Sequence, residues 1–309
     1  MAFADREATC LLMSWPDSIH AGETEQPEPL VRRVLAPNPS PYTYTGTQTW
    51  IVGAGKDVAV IDPGPDDAAH IDAILRAVGE ARVKAILCTH THRDHSPGSR
   101  PLAVRTGAPI MGCAPLVLAD DGPRADAAFD PLYAPDHVMG DGETVAGDGW
   151  TLEAVATPGH TSNHLCFALL ESGALFTGDH VMKWSTSVVS PPDGNMGDYM
   201  ASLKKLYERE QDRVYYPAHG PAAENPHQLV RGMMGHRKAR EKQILKLLTE
   251  AGPVAVPAMV DVMYKGLDPR LHGAAERSVL AHLFDLEQRG EALRSAAATD
   301  QGEAAWMPA

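Results

Sequence analysis

A dense run of metal-binding side chains at residues 88–98, CTHTHRDHSPG, restricts the fold and the chemistry of this chain more than any other stretch. His90, His92, Asp94 and His95 fall within six positions, directly after the apolar run VKAILC. A solvated polar loop accounts for such a run, and so does a metal site, because imidazoles and carboxylates are donors that metal ions bind. Ligand-type residues in the same setting elsewhere in the chain would favour the metal site.

Three later segments place a ligand-type residue directly after an apolar strand. TLEAVATPGHT leads to His160, the predicted hairpin CFALLESGALFTGDH leads to Asp179, and RVYYPAHGP leads to His219. Residues 47–65 predict a further hairpin, residues 67–79 a helix, and VKAILCT a buried strand. This order of strands and helices is an α/β pattern, in which sites gather beyond the ends of strands.

The ligand-type residues divide into two sets that could each bind one ion. The spacing predicts these sets: His90, His92 and His160 for the first ion, and Asp94, His95 and His219 for the second. Asp179 has two carboxylate oxygens and is predicted to bridge the ions. Nitrogen and oxygen donors without thiolate favour Zn²⁺, two per chain, with Mn²⁺ or Fe as alternatives. Two such ions can share a hydroxide, which predicts a hydrolase with Asp94 and Asp179 as catalytic residues.

The motif series H-x-H-x-D-H, TPGHT, FTGDH and YPAHG resembles the ligand series of the metallo-β-lactamase fold superfamily. The resemblance covers residues 36–300 and implies an α+β fold, a four-layer αββα sandwich with the metals at one edge. NPSPYTYTGTQTWIVG and HRKAREKQILKLL are similar to the lactamase-beta-like subfamily, which includes a mitochondrial endoribonuclease. Arg93 and Pro97 depart from the residues usual at their places, so substrate preference does not follow from the resemblance.

Asp179 distinguishes branches of this superfamily. True metallo-β-lactamases usually carry Cys or Ser there, whereas Asp resembles the glyoxalase II, lactonase and nuclease branches. Three functions are therefore considered: a single-stranded RNA endonuclease, a hydrolase of small thioester, lactone or β-lactam substrates, and a metal-stabilised binding or regulatory module. Ligand sets that leave coordination positions open disfavour the third function.

The composition changes near residue 236, which predicts an N-terminal extension (1–35), a catalytic domain (36–235) and a C-terminal domain (236–309). Three predicted helices and a terminal hairpin after residue 236 are typical of a winged helix. The third helix would be the one that reads DNA. Its charges are mixed and disfavour DNA recognition: Glu276, Arg277, Asp285, Glu287 and Arg289. Packing or a homodimer contact is the expected role of this region.

The net charge of −13 arises from 27 basic and 40 acidic residues. Residues 236–309 hold 10 of each, so residues 1–235 hold 17 basic and 30 acidic side chains. This acidity argues against tight, sequence-blind binding of nucleic acid, which requires neutralisation of phosphates. No apolar run is long enough for a membrane helix, and ATCLLMSW lacks the basic flank of a signal peptide.

The four cysteines form no C-x-x-C pair, which favours reduced thiols and a cytoplasmic location: Cys10, Cys88, Cys113 and Cys166. Cys88 and Cys166 lie in apolar runs and are expected to pack in the core.

Further residues around the ligands are predicted to have functional roles, and each of them also has a simpler structural interpretation. Asp62, in VIDPG, is expected to orient a ligand from behind, although a turn-forming Asp fits as well. His180 follows Asp179 and is expected to support the ligands or contact substrate, and otherwise packs in the core. Trp184 and Arg237 are predicted substrate contacts. Trp184 could instead pack under its own loop, and the run around Arg237 could be a solvated helix face.

Overall fold

Two β-sheets packed face to face form the centre of the structure, a computed structural model that describes residues 19–117, 129–298 and 304–309. In the described chain the first sheet has seven strands, adjacent in chain order: β1 (Thr24–Glu28), β2 (Val31–Leu35), β3 (Gln48–Val52), β4 (Asp57–Ile61), β5 (Arg82–Cys88), β6 (Ile110–Gly112) and β7 (His137–Val138). Strands β1 to β4 are antiparallel to their neighbours, whereas β4 to β7 run parallel.

The second sheet has five strands in the described residues: β8 (Thr144–Gly147), β9 (Trp150–Ala156), β10 (Leu165–Leu169), β11 (Ala174–Gly178) and β12 (Val214–Pro217). Their spatial order is β12-β11-β10-β9-β8, and only the β11–β12 pair is parallel. Four helices accompany the sheets: α1 (Ala68–Val78), α2 (Ser99–Thr106), α3 (Met196–Tyr207) and α4 (Pro226–Ala251).

Apolar side chains fill the space between the two sheets. Successive side chains of a strand point to opposite faces, so β3 directs Trp50 and Val52 towards the second sheet and Ile51 towards α1. Phe167 and Phe176 approach Trp50 and Val52 from the second sheet. Full burial of one such side chain contributes roughly 1.5–3 kcal/mol, so this layer stabilises the packing of the two sheets.

Helices cover the outer face of each sheet. In α1 the buried Ile71, Ile74 and Val78 recur at helical spacing and pack against the first sheet. In α3 and α4, Leu203 and Val230 pack against the second sheet. The layer order is therefore helix, sheet, sheet, helix, which confirms the predicted α+β fold of four layers.

Asn195 caps the N-terminus of α3. Asp198 lies inside the first turn, whereas Asn195 is the N-cap and its side chain accepts a hydrogen bond from the Asp198 backbone N–H. Both residue types cap helices well. Asn195 takes the position because its extended backbone directly precedes the first helical residue, Met196.

The C-terminal part consists of β13 (Val254–Ala255), α5 (Val256–Met263), a 3₁₀ turn (Pro269–Leu271), α6 (His272–Gln288), β14 (Ala292–Ala298) and β15 (Ala304–Pro308). Strands β13, β15 and β14 form a small antiparallel sheet, in that order. Its core contains Leu248, Val279, Leu283 and Trp306. This arrangement confirms the predicted winged helix.

The described chain bears on the predicted boundaries in two places. Strands β1 and β2 extend the first sheet, so the sheet begins at Thr24 and not after residue 35. Helix α4 continues without a break from Pro226 to Ala251, so the predicted boundary at 235/236 lies inside a helix. The division into three domains stays a prediction with this adjustment.

Three of the cysteines are free and buried: Cys88, Cys113 and Cys166. The expected core packing of Cys88 and Cys166 is thus confirmed, while Cys10 lies outside the described residues. Within the described ranges, no helix is both long enough and apolar enough to cross a membrane.

Candidate metal centre

The predicted ligands meet at one edge of the two sheets. The loop after β5 carries His90, His92, Asp94 and His95, and the segments after β9, β11 and β12 carry the remaining three, His160, Asp179 and His219. Each of these strands ends at the same edge and delivers its polar residue there. The structure therefore brings together all seven residues that the sequence singles out.

The first group contains three histidines and one oxygen of Asp179. His92 Nδ1 lies 3.0 Å from His90 Nε2 and 3.1 Å from His160 Nε2. Asp179 Oδ2 lies 3.7 Å from His160 Nε2. The ligand atoms of this group all fall within 4.8 Å of one another, which is a separation that a single cation can span.

The second group contains Asp94, His95 and His219. His219 Nε2 lies 3.2 Å from Asp94 Oδ2, and His95 Nε2 lies 3.5 Å from the same oxygen. Asp179 Oδ1 also faces this group, 3.2 Å from His219 Nε2 and 3.5 Å from His95 Nε2. The two carboxylate oxygens of Asp179 thus face different groups.

Several of these atoms are buried without a hydrogen-bond partner in the described structure: His95 Nε2, His219 Nε2 and Asp179 Oδ1. His219 Nε2 and Asp179 Oδ1 are close, yet their geometry is not that of a hydrogen bond. Buried polar atoms normally find a partner, because leaving them unpaired is costly. All three atoms face the second group, where a bound divalent cation would supply the missing partner, so the residues of the site fit a metal ion.

The ionisation of these side chains is strongly coupled. Burial alone would lower the pKa of His219, but the Asp179 and Asp94 carboxylates raise it to about 9. Burial would likewise lower the pKa of His95, but Asp94, Asp179 and Asp62 raise it well above its usual value. Cations would take the place of the protons on these imidazoles, so metal binding is expected to release protons.

In contrast, His90 is held in the neutral form. Burial lowers its pKa well below the usual value, and the neighbouring His95 and His92 lower it further. A neutral imidazole has a free lone pair, which is the form that binds a metal.

Asp62 supports two of the histidines from behind. His95 Nδ1 donates to Asp62 Oδ2 at 2.9 Å, which leaves His95 Nε2 free to face the second group. The Thr89 backbone N–H and hydroxyl donate to the same carboxylate at 2.8 and 2.7 Å. Since the Thr89 hydroxyl donates to Asp62, it accepts from His90 Nδ1, 3.0 Å away. His90 Nε2 is therefore also directed towards the site.

Backbone carbonyls orient His160 and His219, whose imidazoles also face the two ligand groups through Nε2. His160 Nδ1 donates to the Val188 carbonyl at 2.5 Å, and His219 Nδ1 donates to the Gly46 carbonyl at 3.3 Å. Because a carbonyl only accepts, each ring must carry its proton on Nδ1 and present Nε2 to the site.

Some residues of the site were not singled out from the sequence. His164 Nε2 accepts from the Asp179 backbone N–H at 3.3 Å, so its proton lies on Nδ1 and is shared with the Thr157 hydroxyl, 2.9 Å away. This contact fixes the backbone of Asp179. The only signals in the sequence are the position of His164 four residues after His160 and that of Thr89 directly before the H-x-H motif.

The three remaining predicted residues take different positions. His180 is fully buried, its pKa is lowered by burial to about 3, and its ring lies against Tyr199. Trp184 packs on Tyr44 and beside Gly220, next to His219, at the rim of the site. Arg237 is only 4% exposed, and its guanidinium donates to the Ser187 carbonyl. Its position therefore does not support direct contact with substrate.

Comparisons with known proteins identify the family. Residues 42–219 match the model of the Metallo-beta-lactamase superfamily, and residues 255–306 match that of the Beta-lactamase associated winged helix domain. The chain belongs to the metallo-β-lactamase superfamily and is a hydrolase-type member of it with a C-terminal winged helix.

Individual relatives span most of the chain. It is 31% identical over 291 residues to the Beta-lactamase-like protein 2 homolog of Drosophila melanogaster, covering 90% of this chain and 94% of that protein. It is 32% identical over 254 residues to an atrochrysone carboxyl ACP thioesterase of Paecilomyces divaricatus, covering 78% and 74% respectively. A beta-lactamase domain protein from Burkholderia ambifaria shares the fold, with a TM-score of 0.78 at 20% identity over 95% of this chain and 96% of that one.

Proposed function

We propose that this protein is a hydrolase that uses two metal ions, and that it cleaves an ester or thioester of a small or carrier-bound acyl group. The observation that carries the proposal is the position of Asp179, whose two oxygens face the two ligand groups. The proposed ligands are those of the sequence prediction: His90, His92, Asp94, His95, His160, Asp179 and His219. Zn²⁺ is the proposed metal, with Mn²⁺ or Fe as alternatives.

Metal ions held by these residues would supply an activated water near neutral pH and positive charge for the carbonyl oxygen of the substrate. Asp179 holds the two ligand groups at a fixed separation. Asp94 contributes a carboxylate to the second group and is positioned to orient a proton of the attacking water. Asp62, Thr89 and Val188 keep the imidazoles in the tautomers that bind metal.

The choice of an acyl substrate is supported by charge, by the rim of the site and by a relative. Phosphate-rich substrates are disfavoured by residues 1–235, which contain 17 basic and 30 acidic side chains. Two apolar side chains lie near the ligands: Val188, which is 38% exposed, and Trp184, which packs on Tyr44 and beside Gly220. A thioesterase is among the relatives. Lactones and β-lactams share the electrophilic carbonyl and are proposed as weaker substrates.

Single-stranded RNA is the second candidate substrate. Lys238, Lys242 and Lys246 recur every fourth residue on α4 and are exposed, so they form a basic stripe. Arg237, next to Lys238, donates to the Ser187 carbonyl, and the adjacent Val188 carbonyl accepts from His160. The stripe therefore begins near the site. A basic stripe of this kind could track a phosphate backbone.

The two candidates are separated by assaying the metal-reconstituted full chain on acyl thioesters and on end-labelled single-stranded RNA. We expect Asp179→Ala to lower thioester turnover by more than about 100-fold, because removing a carboxylate that faces both ligand groups should cost more than disturbing an outer contact. Asp198→Ala is the matched control, since Asp198 is exposed in the first turn of α3. RNA cleavage by the wild type alone, without thioester turnover, would replace the first candidate with the second.

Metal analysis of the purified protein tests the metal separately. Two equivalents per chain support the dinuclear site, and a single equivalent in the wild type would contradict it. The cytoplasmic location and the homodimer that the sequence suggests stay predictions.

A further inference from the structure

The segment formed by Ser187 and Val188 connects the candidate metal centre to the C-terminal half of the chain. We refer to it as the 187–188 segment. Ser187 is buried, and Val188 lies at the rim of the site. The neighbouring Val189 packs in the outer core of the second sheet. The segment therefore lies between the ligands on one side and the helices on the other.

On the side of the ligands, the 187–188 segment contacts two proposed metal ligands. The Val188 carbonyl accepts from His160 Nδ1 at 2.5 Å, and the Ser187 hydroxyl donates to the Asp179 carbonyl. One contact sets the tautomer and ring orientation of His160. The other holds the backbone of the residue that faces both ligand groups.

On the side of the helices, the same segment is held by Arg237 of α4. The guanidinium Nη2 donates to the Ser187 carbonyl, and its Nη1 lies 3.5 Å from the Ser278 hydroxyl of α6. The Arg237 Cζ atom lies 5.3 Å from the centre of the Tyr199 ring. Tyr199 in turn donates to the His180 carbonyl, directly after Asp179.

The burial of Arg237 is costly because its contacts are with a carbonyl, a hydroxyl and a ring. In the described part of the chain, no carboxylate forms an ion pair with it. A buried charge without a counterion is rarely a source of stability. A buried arginine is accounted for here if its guanidinium holds the Ser187 carbonyl, which an apolar residue could not do.

We propose that Arg237 is a positioning residue that orients His160 for metal binding through the Ser187 and Val188 carbonyls. By fixing the Ser187 carbonyl, Arg237 limits the rotation of the peptide that leads into Val188. The Val188 carbonyl then stays directed at His160 Nδ1. This inference rests on the proposed metal site, and it makes the winged-helix side of the molecule part of that site's support.

The test is titration of the metal-free full chain with Co²⁺, followed by visible absorption and by competition with a chelator. Arg237→Met removes the donors while keeping an apolar stem, and Arg237→Lys keeps the charge but not the planar fork. We expect Arg237→Met to weaken Co²⁺ binding by about 10–100-fold and to change the absorption bands, because the His160 contact is an outer-shell interaction. Arg237→Lys should weaken binding by a smaller factor.

Arg209→Met is the matched control. Arg209 is also mostly buried, but it forms ion pairs with Asp212 at 3.1 Å and Glu153 at 3.3 Å and contacts none of the ligands. Its loss should lower the stability and leave the Co²⁺ spectrum unchanged. If Arg237→Met does not fold, Arg237→Lys decides the question by the same measurement.

Two outcomes would overturn the inference in distinguishable ways. Wild-type Co²⁺ affinity and spectrum in the folded Arg237 variants would show that the residue is purely structural, while the metal site itself would stand. Failure of the wild-type chain to bind Co²⁺ would overturn the proposed function and the inference with it.

Discussion

Replacing Asp62 with asparagine should weaken metal binding without removing a metal ligand. The Asp62 carboxylate accepts three hydrogen bonds, from His95 Nδ1, from the Thr89 hydroxyl and from the Thr89 backbone N–H. Asparagine has nearly the same shape, and it tolerates the positive φ of 49° that Asp62 adopts. The backbone is therefore expected to keep its conformation, and the effect should come from the hydrogen bonds.

In the Asp62→Asn variant, the side-chain amide keeps one oxygen that accepts hydrogen bonds. The second oxygen is replaced by an NH₂ group, which only donates. If its NH₂ group takes the place of Oδ2, it faces two donors, His95 Nδ1–H and the Thr89 hydroxyl. The conflict between the NH₂ group and His95 Nδ1–H, both donors, is removed only if the His95 proton moves to Nε2. That atom faces Asp94 and Asp179. If the Thr89 hydroxyl turns to accept, it donates to His90 Nδ1 and moves that proton to Nε2 as well.

Both changes block a nitrogen that would bind metal. A hydrogen bond to a charged group contributes about 1.5–3 kcal/mol, which corresponds to a factor of about 10–100 in an equilibrium constant. The same factor is typical for loss of a partner behind a metal ligand. We therefore expect Asp62→Asn to lower metal affinity, measured by chelator competition, by about 10–100-fold.

Asp212→Asn is the control for this prediction. Asp212 is also a buried carboxylate, but it lies before the start of β12 and bonds to Arg209 and Tyr215. This variant should lose stability and keep its metal affinity. Equal metal affinity in Asp62→Asn and the wild type would refute the tautomer argument.

Two further predictions concern stability and local packing. Burial, reinforced by Arg237, lowers the pKa of His282 to about 3, below its usual value of 6.5. The unfolded chain therefore takes up the proton first, and stability falls as the pH drops below about 6.5. At pH 5 the loss is about 2 kcal/mol. His282→Gln should remove this loss, as measured by urea unfolding at pH 7 and pH 5. An unchanged dependence of the unfolding free energy on pH in the variant would contradict this. Gly159 has a φ of 136°, and a Cβ there would overlap the Cα atom of Tyr199. Gly159→Ala should cost more than about 2 kcal/mol and weaken metal binding through His160, whereas Gly149→Ala, in open space, should leave metal binding unchanged.

Much of the fold could be predicted because its strands are short apolar runs that end in polar residues. The hairpin at 47–65 and the strand before His90 correspond to β3, β4 and β5. Strand β1, with the sequence TEQPE, carries no such pattern, because it lies at the edge of the sheet and its side chains are mostly exposed. A Pro and two Glu residues are typical of a protected edge, but they resemble a loop in sequence.

The start of α4 could not be predicted from periodicity. The sequence suggests a helix from residue 236, whereas the helix begins at Pro226. Gly232 and Gly235 weaken the local helix signal, since each glycine costs about 1 kcal/mol in a helix interior. Burial of Val230 and Met233 against the second sheet offsets that cost. Pro226 at the first turn is the signal that would have located the start.

The ligands could be predicted from the sequence, but most of their supports could not. Each ligand is a distinctive residue type directly after a strand. The groups that orient His160 and His219 are the Val188 and Gly46 carbonyls, and every residue type has a carbonyl. Only the folded chain determines which carbonyl faces which ring. Asp62 is the exception, because a carboxylate at the end of a strand is itself a recognisable signal.

Residues around α6 of the winged helix mainly contact other residues of this chain. Arg289 pairs with Glu241, Asp285 and Glu291, and Arg294 pairs with Glu287, so the charges around α6 largely neutralise one another. A helix that reads DNA needs free donors and net positive charge on its exposed side. Instead, α6 buries Val279 and Leu283 in the C-terminal core and brings Ser278 to the guanidinium of Arg237. These contacts favour support of the 187–188 segment over recognition of nucleic acid as the role of this part of the chain.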